Sequence, residues 1–255
     1  MIVTAENSNM SELIPTRPAI QISNSKKGGV GKTLLSKLKA SYCLESKLDF
    51  YALDADKQES FLKAYPDFAI ATCFSELDEN LKIPDRILDL ALEKLVLVDL
   101  PGNVEEAFNH WLEERDILEA SKDLGVEIQN WYLLDDTTEC YEGLLRTLEF
   151  AGNNMNHVLV KNVGKCKNWE SFEKFVTPEL VTKYSLKIID LPKLSIDTAD
   201  TIYKNALSFT EARRYCEFRT AQVAGLRRYI RRVYNVFDDV GFNIENLKPK
   251  TMLMT

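Results

Sequence analysis

The sequence predicts an α/β fold, a doubly wound and mostly parallel sheet with helices on both faces. Three observations lead there. Short apolar runs of strand length alternate with longer helix-forming segments, the pattern of a sheet covered on both sides. The first of these runs, AIQIS (19–23), opens into a glycine-rich loop and then into helix formers, a strand–loop–helix unit. No internal repeat or low-complexity linker interrupts the 255 residues. Residues 19–255 therefore read as one domain, behind a loose extension over 1–18 that Pro15 and Pro18 close off.

The alternation can be followed in order. Leu34, Leu35, Leu38 and Ala40 mark a helix over about 32–45. FYALDAD (50–56) is a strand ending in acids, QESFLKAY (58–65) is helical and FAIATCF (68–74) is strand-like. PDRILDLALEK (84–94) is a helix with proline in its first turn, and LVLVDLPG (95–102) is a continuous apolar strand. Residues 103–124 are helical, VEIQNWYLL (126–134) is a strand, and TTECYEGLLRTLEF (137–150) is a helix opened by a threonine cap. NHVLVKN (156–162) and SLKIIDLP (185–192) complete the strands, and helices cover about 195–207 and 210–237.

Hydrophobic residues make up 45% of the chain and charged residues 28%, enough apolar material for a sizeable core. A net charge of −7 argues against a molecule built as a polycation, so contact with nucleic acid would need a local patch. The five cysteines, Cys43, Cys73, Cys140, Cys166 and Cys216, are odd in number and form no C-x-x-C pair, which points to reduced thiols. The N-terminal stretch MIVTAENSNMSELIPTRP is polar and acidic rather than signal-like, and no segment approaches the roughly 18 apolar residues of a membrane span. A cytoplasmic location is the expectation.

The chemistry is concentrated in residues 24–34, NSKKGGVGKTL. The usual phosphate-loop pattern, G-x-x-x-x-G-K-[ST], has glycine where this chain has Lys26, but the residues after Lys26 fit it. Gly28, Gly29 and Gly31, with Val30 among them, allow successive backbone N–H groups to turn inward on an anion. The helix starting near Lys32 offers the positive end of its dipole to the same anion. Lys32 suits the β- and γ-phosphates of a nucleotide, and the Thr33 hydroxyl suits Mg²⁺. The strand LVLVD ends in Asp99, a carboxylate for the same hard cation, and Pro101-Gly102 lets the chain turn and move beyond it.

KKGGVGKT resembles the deviant Walker A motif of the ParA/MinD family of ATPases, KGGxGK[ST], and the likeness extends over roughly 19–210. The resemblance implies a P-loop NTPase fold, ATP and Mg²⁺ as ligands, and a nucleotide-sandwich homodimer. In that dimer Lys27 would reach the partner's phosphates and stabilise the transition state as an arginine finger does. The family tolerates other residues at the position of Lys26. YALDADKQ resembles the family's DxDPQ segment, which implies that Asp56 positions the attacking water and that Asp54 helps hold hydrated Mg²⁺. Lys57 stands where proline is common, and Leu34, in the nucleotide-binding segment, replaces a second hydroxyl residue. Asn162 is placed like the family's adenine-contacting asparagine, and Pro192 like the proline bordering the base. No aspartate follows Lys161 or Lys165 at the N/T-K-x-D spacing that reads guanine, so ATP is expected over GTP.

Members of the family differ in what the dimer binds. An iron–sulfur cluster needs cysteines soon after the Asp99 strand, and none lies between Asp99 and Cys140. Membrane attachment needs an amphipathic terminal helix, and the tail NIENLKPKTMLMT contains Pro249 and few apolar residues, so no membrane partner is expected. DNA has some support. Val223, Leu226, Ile230, Val233 and Phe237 form a packing stripe, leaving Arg227, Arg228, Arg231 and Arg232 on the remaining arc, with Arg213, Arg214 and Arg219 upstream. Such a face can hold DNA phosphates without sequence specificity, or stand solvated beside acids such as Glu211 and Asp238. The expected function is a slow Mg²⁺-dependent ATPase whose dimer, with an adaptor protein, positions cargo. Plasmid or chromosome partition comes first, then support of conjugative transfer. The alternative is a nucleotide-dependent interaction scaffold or regulator with negligible turnover.

Overall fold

The computed structural model describes residues 13–58 and 60–249. Along the chain run β1 (Ala19–Asn24), α1 (Lys32–Glu45), β2 (Phe50–Asp54), α2 (Ser60–Ala64), β3 (Ala69–Ala71) and α3 (Lys82–Glu93). Then come β4 (Leu95–Asp99), α4 (Glu105–Glu114), α5 (Ile117–Asp123), β5 (Glu127–Leu134), α6 (Thr138–Ala151) and β6 (Asn156–Asn162). The last third holds α7 (Glu170–Phe175), α8 (Pro178–Lys183), β7 (Lys187–Leu191), α9 (Ile196–Lys204), α10 (Phe209–Ala212), α11 (Thr220–Asp239) and α12 (Ile244–Leu247).

The seven strands form one sheet in the order β3-β2-β4-β1-β5-β6-β7, and every neighbouring pair is parallel. The fold is the expected doubly wound α/β class. β1 lies between β4 and β5, so the chain winds outward on one side and then returns past β1 to the other. Open sheets of this kind bind ligands outside the carboxyl ends of the strands at that reversal.

The continuous apolar strands follow from burial on both faces. All six residues of β1 and all five of β4 are buried. One apolar cluster joins Leu35 and Leu38 of α1 to Leu226, Ile230, Val233 and Phe237 of α11. A second joins Ile87 and Ala91 of α3 to Phe108 and Trp111 of α4. Each fully buried side chain of this size contributes about 1.5–3 kcal/mol relative to exposure.

Several boundaries differ from the expectations. The helical stretch 103–124 is two helices, because Asp116 takes a left-handed conformation (φ 47°) that aspartate tolerates better than most residues. The strand expected at 68–74 shrinks to the three residues of β3 at the sheet edge. The helix expected at 210–237 breaks into α10 and α11. Thr137 sits at the N-cap of α6 without a capping bond, since its hydroxyl donates instead to Asp135 at 2.7 Å. The helices α7 and α8 were not expected, although Thr177-Pro178 carries a start signal. Thr177 accepts the Leu180 N–H, and proline takes the first position.

The loose extension needs correcting at its end. Ile14 bridges Leu48, Thr16 donates to the Asp49 carbonyl at 2.8 Å and accepts from Leu95 N–H at 2.7 Å, and Arg17 pairs with Glu127. Backbone pairing thus fixes residues 13–18 against the sheet, while residues 1–12 lie outside the described residues. So do residues 250–255 of the tail. No described helix is long and apolar enough to cross a membrane.

Candidate functional site

The loop between β1 and α1 sits at the carboxyl end of β1, at the point where the winding reverses. Gly29 (φ 74°) and Gly31 (φ 111°) hold backbone conformations that a side chain would strain. Val30 between them is buried, and Leu34 packs half-buried against the core. Lys32, at the first position of α1, is buried along the loop's inner side. Its Nζ donates to the Lys27 carbonyl at 2.8 Å and approaches that of Ser25 at 3.4 Å. Burial lowers its pKa, partly offset by Asp99.

A second loop backs the first. Gly102, just after β4, lies so close that a Cβ there would stand 3.0 Å from Gly28 Cα and N. Asn103 N–H donates to the Lys26 carbonyl at 3.0 Å and holds a positive φ of 57°. The Pro101-Gly102 turn is therefore docked on the glycine loop itself.

The sheet register pairs Ser23 with Asp99 and Asp54 with Asp99, which brings the three strand ends together. Ser36 donates to Asp99 Oδ1 at 2.9 Å and lies 2.8 Å from Ser23 Oγ. Burial pushes the Asp99 carboxyl up to about 7, against the hydroxyls of Thr33 and Ser36 and the charge of Lys32, which pull it down. Its Oδ2 is buried without a hydrogen-bond partner. An unpartnered carboxylate oxygen beside a threonine hydroxyl fits a hard cation such as Mg²⁺. Sequence reasoning missed Ser36. Its signal was its spacing, i+3 from Thr33 and so on the same face of α1.

Asp54 has an occupation different from the expected one. Its Oδ1 accepts Asp56 N–H at 3.0 Å, and its Oδ2 accepts Phe61 and Leu62 N–H at 2.9 Å each. Those three backbone donors leave the buried carboxylate as an anchor for the segment entering α2, not a free arm for a hydrated ion. Asp56 is only half-buried, and its Oδ1 accepts Gln58 N–H at 2.9 Å. Lys57 is exposed in the turn.

Lys27 projects toward the end of β5, where its Nζ meets Asp135 Oδ2 at 2.7 Å. That hydrogen bond is the main cause of a raised Lys27 pKa. Burial alone would raise the Asp135 carboxyl, but bonds from Lys27, Thr137 and Cys140 bring it below the ordinary carboxylate range. Asp135 is a second residue the sequence did not single out. Its position at a strand end on the loop side was the available signal.

Asn162 ends β6 next to Leu191 of β7, with Pro192 buried just beyond. Its Nδ2 donates to the Val30 carbonyl at 2.7 Å, and its Oδ1 accepts Gly164 N–H at 3.1 Å. The structure thus gathers Lys27 through Thr33, Asp54, Asp56, Asp99, Asn162 and Pro192 at one edge of the sheet. Arg227, Arg228, Arg231 and Arg232 are all exposed on α11 and lie elsewhere. α11 packs on the far end of α1, where Tyr234 bonds Glu45. The 14 residues of α1 put that end roughly 20 Å from the loop.

The strand order, the glycine loop after β1 and the acid at the end of neighbouring β4 together make this the P-loop NTPase fold. No family model and no curated protein matches the sequence. The solved structures similar to it include three of low sequence identity. The MinD cell division protein of Aquifex aeolicus is 15% identical, with 85% of this chain and 96% of that one covered and a TM-score of 0.46. The MinC:MinD cell division protein complex of the same organism gives 14%, the same coverages and 0.48. Chloroplast FtsY from Physcomitrella patens gives 14%, 76% and 67%, and 0.43.

Proposed function

We propose that the chain is a Mg²⁺-dependent ATPase acting as an ATP-driven dimer, with slow turnover. One observation carries this reading. The loop that buries Lys32 lies beside Asp99, whose carboxyl is acted on by Thr33 and Lys32 and whose Oδ2 has no hydrogen-bond partner among the described residues. In this reading the backbone amides of residues 28–33 and Lys32 hold the phosphates. Thr33 and Asp99 hold Mg²⁺, which when bound neutralises charge on the phosphoryl oxygens. Ser36 fixes the Asp99 carboxylate by its hydrogen bond. Asp56, the less buried member of the acid pair, orients water. Asn162 and Pro192 border the adenine, and the absence of a guanine-reading aspartate supports ATP. Lys27 acts on the neighbouring copy, for which its half-exposed side chain is suited.

The dimer would position cargo through an adaptor protein, in plasmid or chromosome partition or in conjugative transfer. The exposed arginines 227, 228, 231 and 232 of α11 would give it sequence-independent contact with DNA. A second reading, a nucleotide-dependent scaffold without turnover, draws support from Asp54 and Asp56, whose carboxylates are both engaged by local backbone N–H groups.

Binding of ATP with Mg²⁺, followed by phosphate release with and without DNA, tests both. The ATPase reading expects wild-type turnover that Asp56→Ala abolishes. Equal, negligible release from both proteins with ATP binding intact leaves the scaffold. Absence of adenine-nucleotide binding removes both.

A further inference from the structure

A cleft of about 370 Å³ lies between α10, α11 and the last turn of α1, away from the nucleotide loop and on the face where the proposed DNA contact places Arg227 and Arg231. Arg213, Arg227, Arg231 and Glu45 line it, with Ile230 and Tyr234 behind. Three guanidiniums against one carboxylate leave a local charge of +2 in a chain whose total is −7.

The arginines arrive from two directions. Arg227 and Arg231 are four residues apart and so leave the same side of α11. Both are exposed, and among the described residues neither has an ion-pair partner. Like charges one helical turn apart repel, and an anion between them relieves that repulsion. Arg213 comes from the end of α10. Its Nη2 pairs with Glu45 Oε1 at 2.8 Å, while its Nε is buried with no hydrogen-bond partner among the described residues. Glu45 is itself fixed from behind by the hydroxyls of Ser41 and Tyr234, so it orients Arg213 toward the cleft. Arg228 and Arg232 follow their neighbours by about 100° around the helix and do not line the cleft.

We infer that this cleft binds a phosphate group, gripped by Arg227 and Arg231 with Arg213 at its back. Planar guanidiniums match phosphate oxygens by paired, charge-assisted hydrogen bonds, and the volume admits a diphosphate. The roughly 20 Å that α1 puts between this cleft and the glycine loop makes it a site separate from nucleotide binding, and it narrows the proposed DNA face to Arg227, Arg231 and Arg213. The phosphate belongs either to a free phosphorylated small molecule or to a nucleic-acid backbone.

The test is calorimetric titration of the full chain with inorganic pyrophosphate at low ionic strength. Arg227→Gln/Arg231→Gln should weaken one binding component by about tenfold or more, the loss expected for two charge-assisted bonds. Arg228→Gln/Arg232→Gln, which removes the same charge nearby, should change it by less than about twofold, as screened surface charges do. Glu45→Gln keeps an acceptor for Tyr234 but releases Arg213, and should tighten the component. Lys32→Ala should leave it unchanged, which separates it from any binding at the glycine loop. A short DNA duplex that displaces the pyrophosphate identifies a nucleic-acid source, and one that does not identifies a small molecule. No pyrophosphate component beyond the Lys32-dependent one, or equal losses in the two arginine pairs, overturns the inference.

Discussion

The side-chain amide of Asn162 donates to the carbonyl oxygen of Val30 at 2.7 Å and so ties the end of β6 to the crest of the glycine loop. The contact is tight enough that a Cβ at Gly31 would stand 2.6 Å from the same nitrogen. Asn162 is thus a strut of the loop, in addition to the contact with the base proposed for it. Asn162→Ala leaves a buried carbonyl unpaired, which costs about 1–3 kcal/mol, or about 5- to 150-fold in affinity. Because a strut acts on the phosphate cradle, ATP and inorganic triphosphate should weaken together. Titration of both ligands checks this, and a loss confined to ATP would assign Asn162 to the base alone.

Gly102→Ala should damage the same cradle from the other side. The added methyl meets Gly28 Cα and N at 3.0 Å, and both are backbone atoms that cannot turn aside. Relief requires the two loops to separate, which also stretches the Asn103 N–H bond to the Lys26 carbonyl. Nucleotide affinity should fall by about tenfold or more, while the melting temperature moves only a few degrees, since the strain is confined to surface loops. A fall in stability without a fall in affinity would mean that the turn is not coupled to the loop.

Much of this arrangement was legible in the sequence, and the reasons differ by element. β4 and β6 were readable because burial on both faces makes an apolar run of fixed length. The loop was readable because few residues other than glycine accept the φ values of Gly29 and Gly31. Asp135 and Ser36 carried only weak signals, and nothing local named their partners. Their partners, Lys27 and Asp99, are 108 and 63 residues away, and only the register of the sheet brings them close. Asp54, expected to help hold hydrated Mg²⁺, shows a different limit. A carboxylate at a strand end has the same appearance in sequence whether it faces an ion or accepts backbone N–H groups, and here three such groups engage it. Arg213 was noted only as lying upstream of the basic patch, because it follows α10, outside the helical period of α11 that would have joined it to Arg227 and Arg231.

Lys39 predicts a pH dependence of stability. It is fully buried in α1, with Nζ 5.2 Å from the centre of the Trp131 ring and no hydrogen-bond partner. Burial lowers its pKa from 10.5 to about 7. Between those values the unfolded chain binds the proton that the folded chain gives up, so stability rises with pH from about 7 toward 10.5. Lys39→Met keeps the apolar stem and removes the charge. It should stabilise the fold by a few kcal/mol at neutral pH and flatten that rise. Urea midpoints measured across the window decide the matter, and parallel pH curves for the two proteins would show that Lys39 does not titrate there.

The ion pair of Lys27 with Asp135 bears on how a dimer could form. The ammonium is held 2.7 Å from Asp135 Oδ2 within its own chain, a hold that competes with any reach toward the phosphates of a second copy. The pair is partly exposed, with Lys27 at 35% and Asp135 at 15%, so breaking it costs little, about 0.2–1 kcal/mol after screening. Asp135→Asn keeps an acceptor for Thr137 and Cys140 but loosens the hold on Lys27, and ATP-dependent dimers should tighten by about twofold to fivefold. Lys27→Ala should still bind ATP, because Lys32 and the loop amides remain, yet fail to dimerise. Light scattering with ATP present reads both variants. Normal dimers from Lys27→Ala would remove its action on the neighbouring copy. An Asp135→Asn protein that dimerises like wild type would mean that the pair does not restrain Lys27.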